Sequence, residues 1–237
     1  MNLGRTGTVF ASHIAGMLAA VITVPYLARV LRPDGWGQVL LAQALAAYLT
    51  LLVEYAFDLS VTRRVAALRD RREHASELRQ FVSETTSARL LLAGAAVLLW
   101  TITLAIVPAL RHDWRLAVSA LLLSLARGFT PLWFFLGTER VTGAFVIDTA
   151  GKLLGAALIF VLVTDASHAW RALAVPAAVS SLVTVVLTYR MYRHAGASRL
   201  SMRGGTAVLR AGMLLIGARA CGALYMQLNA VLVSVIA

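Results

Sequence analysis

The chain has 237 residues, of which 59% are hydrophobic and 14% charged. Its mean hydropathy is +0.77 and its formal net charge is +11. A soluble domain averages about 45–50% apolar and about 25% charged residues, so neither a single soluble core nor a disordered chain fits.

A helix needs about 20 apolar residues to cross the hydrocarbon layer. About seven such stretches are present, so the expected fold is an all-α membrane protein with about seven transmembrane helices. They cover residues 8–27, 39–59, 88–110, 116–136, 141–163, 172–189 and 211–236. The alternation that marks a membrane β-barrel is missing, and Ala and Leu dominate. The first stretch has a short positive start at Arg5, as a signal peptide has. However, it is of span length, contains His13 and Pro25 and is followed by further spans, which favours an uncleaved helix.

Turn chemistry punctuates the spans. Arg32-Pro33-Asp34-Gly35 separates the first two, and Pro108 precedes Arg111-His112-Asp113. Gly137-Thr138-Glu139-Arg140 joins the fourth and fifth, and residues 164–168 the fifth and sixth. Two longer segments, 62–79 and 190–206, are polar. The first carries Arg69, Asp70, Arg71, Arg72, Glu73 and Glu77 without Pro or Gly, and is expected to be a solvated helix continuing from the second span. Its simplest role is topology and contact with anionic lipid heads.

Orientation follows from Lys and Arg in the loops. With the N-terminus inside, fourteen of the 22 Lys and Arg fall on the cytoplasmic side, Arg89 among them. Five fall on the other side: Arg29, Arg32, Arg111, Arg115 and Arg171. A cytoplasmic N-terminus follows, and the basic pI is explained without nucleic acid. The basic loops hold no aromatic stacking platform and no recognition motif, which excludes nucleic acid as the expected partner.

Ionisable groups at membrane depth are costly, so their presence points to function or to a buried pair. The set is Glu54, Asp58, Arg127, Asp148, Lys152 and Arg219, with His13 a weaker member. At about 1.5 Å per residue, Arg127, Lys152 and Arg219 come out about 15 Å from the inner surface, near the middle of a core about 30 Å thick. Glu54 and Asp148 fall about 10 Å deep, and Asp58 near the inner interface. If the helices enclose one cavity, a cationic layer lies above an acidic one.

Structural readings stand beside these functional ones. Asp148 and Lys152 are i and i+4 with the acid first, the favourable order for a local ion pair. Glu54 and Asp58 share a face but cannot pair with each other. Arg127 and Arg219 have no acid three or four residues away, so each needs a distant partner, a wet cavity or an anionic ligand. His13 reads more simply as a helix-packing residue. Gly151 and Gly155 permit close helix approach. Pro25, Pro131 and Pro176 each free a backbone carbonyl and are candidate kinks.

The sequence lacks the common catalytic and cofactor motifs. There is no phosphate-cradling Gly-rich loop with Lys and Ser/Thr, no H-E-x-x-H and no G-x-S-x-G. The single cysteine, Cys221, rules out a disulfide framework and any cysteine-built metal centre. The expectation is a non-enzyme without metal or cofactor.

Three stretches resemble the polysaccharide-synthesis flippases of the multidrug/oligosaccharidyl-lipid/polysaccharide exporter superfamily. The first is Pro25-Tyr26-Leu27-Ala28-Arg29-Val30-Leu31-Arg32-Pro33-Asp34-Gly35-Trp36-Gly37; the family usually has Gly where this chain has Arg32, and often Phe at Trp36. The second runs from Glu54-Tyr55-Ala56-Phe57-Asp58 to Arg63-Arg64-Val65-Ala66, where the family often shows Asp, Gly and Asn in place of Glu54, Ala56 and Asp58. The third is Pro131-Leu132-Trp133-Phe134-Phe135-Leu136-Gly137-Thr138-Glu139, with Leu136 replacing a common Gln.

The resemblance implies two six-helix lobes in a complete transporter. Residues 1–206 would form the N-terminal lobe, with cytoplasmic loops at 60–87 and 190–208, and residues 207–237 the first helix of an incomplete second lobe. A partial sequence is therefore expected. The resemblance further implies transport of a polyprenyl-diphosphate-linked oligosaccharide across the bacterial inner membrane by alternating access. Arg127, Lys152 and Arg219 would meet the diphosphate, and Glu54, Asp58 and Asp148 would serve proton or ion coupling. Membrane lipids, a polysaccharide polymerase and glycosyltransferases are the implied partners. The alternatives are a multidrug or lipid-precursor exporter of the same superfamily, an inactive fragment, or, in a different class, a heptahelical receptor or membrane transferase.

Overall fold

The computed structural model describes residues 3–54, 57–69, 75–111, 113–196 and 200–210. Its elements are α1 (Leu3–Glu54), α2 (Phe57–Arg69), α3 (Ala75–Ile106), α4 (Pro108–Arg111), α5 (Trp114–Phe129), α6 (Leu132–Gly137), α7 (Val141–Leu162), a 3-10 turn (Ala166–His168) and α8 (Arg171–Ala195). Residues 202–210 are also helical. No strand occurs among the described residues. The expected seventh span, 211–236, lies outside them.

Five of the helices are long and apolar enough to cross a bilayer. The first of these, Ile14–Glu54, has 41 residues, about 60 Å of helix at about 1.5 Å per residue and twice the membrane core. It breaks at Arg32, where φ is 60° and ψ 169°. Neighbour contacts show that the two limbs run in opposite directions. In the first limb, Gly16 lies against Lys152, and the Tyr26 hydroxyl donates to the Val163 carbonyl at 2.9 Å, so this limb runs alongside α7. In the second, Thr50 donates to the Ser124 carbonyl at 3.4 Å and Val53 faces Gly128, so this limb runs alongside α5. Helices α5 and α7 are themselves opposed. Gly151 faces Val183 and Gly155 faces Pro176, so α7 is antiparallel to α8. The starts of α5 and α8 (Leu116 and Leu173) share one buried cluster, while Thr184, farther along α8, reaches Thr130 and Ala126 at the end of α5, so α8 is parallel to α5. The Arg32 turn thus folds one long helix into two membrane passes.

The spans differ from expectation in three places. Helix α3 begins at Ala75, not near residue 88, because Phe81, Val82 and Ala88 bury against the bundle and give the polar segment an apolar face. Segment 62–79 is accordingly not solvated along its whole length. Residues 62–69 belong to α2, whose Val65 is wholly buried and whose Thr62 hydroxyl donates to the Trp133 carbonyl at 3.3 Å, while residues 75–79 open α3. The fourth span is two helices, α5 and α6, parted at Thr130 and Pro131. Proline lacks an amide proton, and its ring drives the preceding residue out of the helical region. Thr130 accordingly has φ −57° and ψ 121°.

Buried side chains form two clusters. One joins Leu31, Val39, Trp100, Leu116 and Val163 toward the end of the bundle that carries the 110–115 and 164–170 connections. The other joins Phe57, Val65, Phe81, Trp133, Phe134 and Leu187 at the opposite end. Large apolar residues such as Phe10, Val21, Ile106, Val161 and Val185 are more than 60% exposed. That pattern suits a bundle solvated by lipid rather than water. Hydroxyls within the spans donate to carbonyls one turn back, as Thr23 does to Ala19 and Ser87 to Ser83. This satisfies them without water.

Candidate functional site

A cavity of about 740 Å³ opens between the two limbs of α1 and helices α5, α7 and α8. Small residues make room for it: Gly16, Ala19 and Ala20 on the first limb, Gly151, Gly155 and Ala156 on α7. Its polar lining converges from five helices. Gln43, Thr50 and Glu54 come from the second limb, Arg89 from α3, Arg127 from α5 with Thr130 just past its end, Asp148 and Lys152 from α7, and Ser180 from α8. The three stretches that carry the family resemblance each contribute a wall residue: Trp36, Glu54 and Leu136.

Four of the six predicted site residues therefore share one cavity: Glu54, Arg127, Asp148 and Lys152. Arg219 lies outside the described residues. So does the side chain of Asp58, which sits on α2, and that of His13 on α1.

Within the cavity the charges are not equivalent. Lys152 Nζ lies 2.7 Å from Asp148 Oδ2, so this pair is largely neutralised along its own helix. Arg127 makes no ion pair and no side-chain hydrogen bond among the described residues. The charges of Asp148 and, less strongly, Glu54 still act on its guanidinium from a distance. Glu54 is itself engaged by a neighbour. An exposed guanidinium on a membrane-embedded wall offers a planar fork of donors to an anionic group.

Sequence reading misassigned Arg89. It counts there among the cytoplasmic loop cations, but α3 starts earlier than expected, and Arg89 sits fourteen residues along it, about 20 Å from the helix start. It is 3% exposed and lines the cavity. Its guanidinium carbon lies 5.4 Å from the Phe57 ring centroid and 5.5 Å from that of Trp133, and Nη1 donates to the Thr130 carbonyl at 3.3 Å. A signal was present in the sequence. Phe81, Val82, Thr85, Ala88 and Leu92 recur at helical spacing and mark one continuous apolar face.

The polysaccharide biosynthesis protein family matches residues 5–237. A protein of Shigella dysenteriae named "Putative O-antigen transporter" is 31% identical over 155 residues, 65% of this chain and 38% of that protein. A protein of Escherichia coli K12 with the same name is 26% identical over 168 residues, 69% of this chain and 39% of that protein. The chain thus spans well under half the length of these curated relatives. No solved structure matches it significantly.

Proposed function

We infer the activity of this chain from one premise: it belongs to the polysaccharide biosynthesis protein family. Together with its relatives named for O-antigen transport, that premise supports a role in moving a polysaccharide precursor across a membrane. The chain is a multi-pass membrane protein. The proposed cargo is a polyprenyl-diphosphate-linked oligosaccharide, moved from the inner to the outer leaflet of the bacterial inner membrane, with the N-terminus cytoplasmic.

Arg127 carries this reading. A diphosphate leaving the headgroup region needs charge-assisted donors, and a guanidinium binds phosphate oxygens through two parallel hydrogen bonds. Arg127 has no acid locked onto it, and it faces open volume within reach of five helices. Lys152 is a second cation, available when it leaves Asp148, and Arg219 a third. Glu54, Asp58 and Asp148 are the proposed coupling groups, because protonating a carboxylate changes how strongly it competes with phosphate for the cations. The lipid tail stays in the bilayer while the sugars cross the cavity. Rocking of helices around a fixed central site supplies alternating access. Glycosyltransferases that build the precursor and a polymerase that consumes it are the proposed partners.

The test uses the full-length protein that carries this chain. Arg127→Ala and Arg219→Ala should each lower export of surface glycan at unchanged expression. Loss of one charge-assisted contact costs about 1.5–3 kcal/mol, about tenfold or more in affinity. Arg127→Lys, which keeps charge but not the planar fork, should fall between wild type and Arg127→Ala. Normal export in both alanine variants would remove the cationic cavity as the basis of cargo choice.

A further inference from the structure

We propose that Arg89 and Thr184 are positioning residues that hold the break between α5 and α6 and thereby set the placement of Arg127. The inference rests on reading Arg127 as the partner of the cargo's phosphates.

In an unbroken helix the Ala126 carbonyl would accept the Thr130 amide, and the Thr130 carbonyl the Phe134 amide. Neither bond forms. The Thr130 amide donates to Arg127, and the Phe134 amide to Pro131. Among the carbonyls at the break, those of Ala126 and Thr130 thereby lose their helical partners inside the membrane, where an unsatisfied one is costly. Each is taken by a side chain from another helix. Thr184 of α8 donates its hydroxyl to the Ala126 carbonyl at 2.7 Å, and Thr130's own hydroxyl adds a second bond there at 3.1 Å. Arg89 of α3 donates to the Thr130 carbonyl at 3.3 Å.

Both donors are fixed in place. Thr184 is buried and its oxygen also lies 2.9 Å from that of Thr130. The Arg89 guanidinium lies within cation–π range of Phe57 and Trp133, so its direction is set by two rings as well as by the carbonyl. Arg127 lies between the two captured carbonyls. Its backbone is thus pinned on one side to α8 and on the other to α3. A cation meant to meet a phosphate must be held in one direction before the ligand arrives, since ordering it on binding weakens affinity.

The experiment places full-length protein in lipid nanodiscs. It measures amide hydrogen exchange across residues 130–134 and the binding of a long-chain polyprenyl diphosphate. Thr184→Val removes the hydroxyl and keeps the shape. It should speed exchange at the break by about tenfold and weaken diphosphate binding by about tenfold. Thr184→Ser, which restores the hydroxyl, should return both within about twofold of wild type. Arg89→Lys keeps the charge but loses the planar group beside the two rings, and should behave like Thr184→Val.

Exchange unchanged in Thr184→Val, or equally fast in Thr184→Ser, would overturn the proposal. So would faster exchange with unaltered diphosphate affinity, because the clamp would then not govern Arg127. If wild type fails to bind the diphosphate while the exchange pattern appears as expected, the clamp on the break stands and the cargo reading falls.

Discussion

Lys152 Nζ meets Asp148 Oδ2 at 2.7 Å, one turn along α7, on the wall of the cavity that also holds Arg127. The Lys152 side chain is 55% exposed and that of Asp148 14%, so the pair is half open to the cavity. Pairs of this spacing contribute about 0.3–0.5 kcal/mol on a helix surface. A double-mutant cycle of Asp148→Asn and Lys152→Met, read by thermal unfolding in detergent, should return a coupling of about 0.5 kcal/mol. A coupling of zero would mean that the two charges are spent elsewhere.

Arg32 occupies backbone that suits glycine. Its φ of 60° and ψ of 169° fall in a region almost reserved for residues without a Cβ, at a cost of about 1–3 kcal/mol for others. The resemblance in sequence places glycine at this position in related chains. Arg32→Gly should therefore raise the stability of the bundle by about 1 kcal/mol despite the freer unfolded chain. Unfolding midpoints of the two proteins in the same detergent decide it, and a lower midpoint for Arg32→Gly contradicts the strain argument.

Helix α7 packs on α8 through Gly151. A Cβ there would sit 2.5 Å from Val183 Cγ2, while Val183 Cβ is 3.8 Å away. Gly151→Ala should cost about 1–3 kcal/mol through overpacking. Adding Val183→Ala removes the clashing methyl and should recover most of that loss. Failure of the second change to rescue would show that the tight approach is governed by backbone rather than by this side chain.

The excess of arginine on one set of loops predicts which ends face the cytoplasm. Glu139→Cys lies in the turn between α6 and α7, and Ser167→Cys in the turn between α7 and α8. A membrane-impermeant maleimide should label Ser167→Cys in intact cells and Glu139→Cys only after permeabilisation. The reverse pattern would invert the topology and put the N-terminus outside.

Much of the helix layout is legible because span length and turn chemistry are local properties. The fifth span, expected over 141–163, is helix over Val141–Leu162. The i, i+4 pairing of Asp148 and Lys152 is likewise fixed within one helix. Arg89 is the instructive miss. Its charge reads as loop, yet its neighbours Phe81, Val82, Ala88 and Leu92 give that stretch an apolar face. Partners that help make a buried guanidinium tolerable, among them Phe57, Trp133 and the Thr130 carbonyl, come from distant parts of the chain.

The helical membrane class, the approximate spans and the residues too costly to leave in lipid without a reason are all readable along the chain. Hydrophobic length and local charge carry that information along the chain. Folding is what brings Glu54, Arg127, Asp148 and Lys152 into one cavity, adds Arg89 to it, and lets α8 and α3 take up the Ala126 and Thr130 carbonyls beside Pro131. Convergence depends on how each helix is rotated against its neighbours. That rotation is set by contacts such as Gly151 on Val183 and Gly128 on Val53, between residues 32 and 75 positions apart.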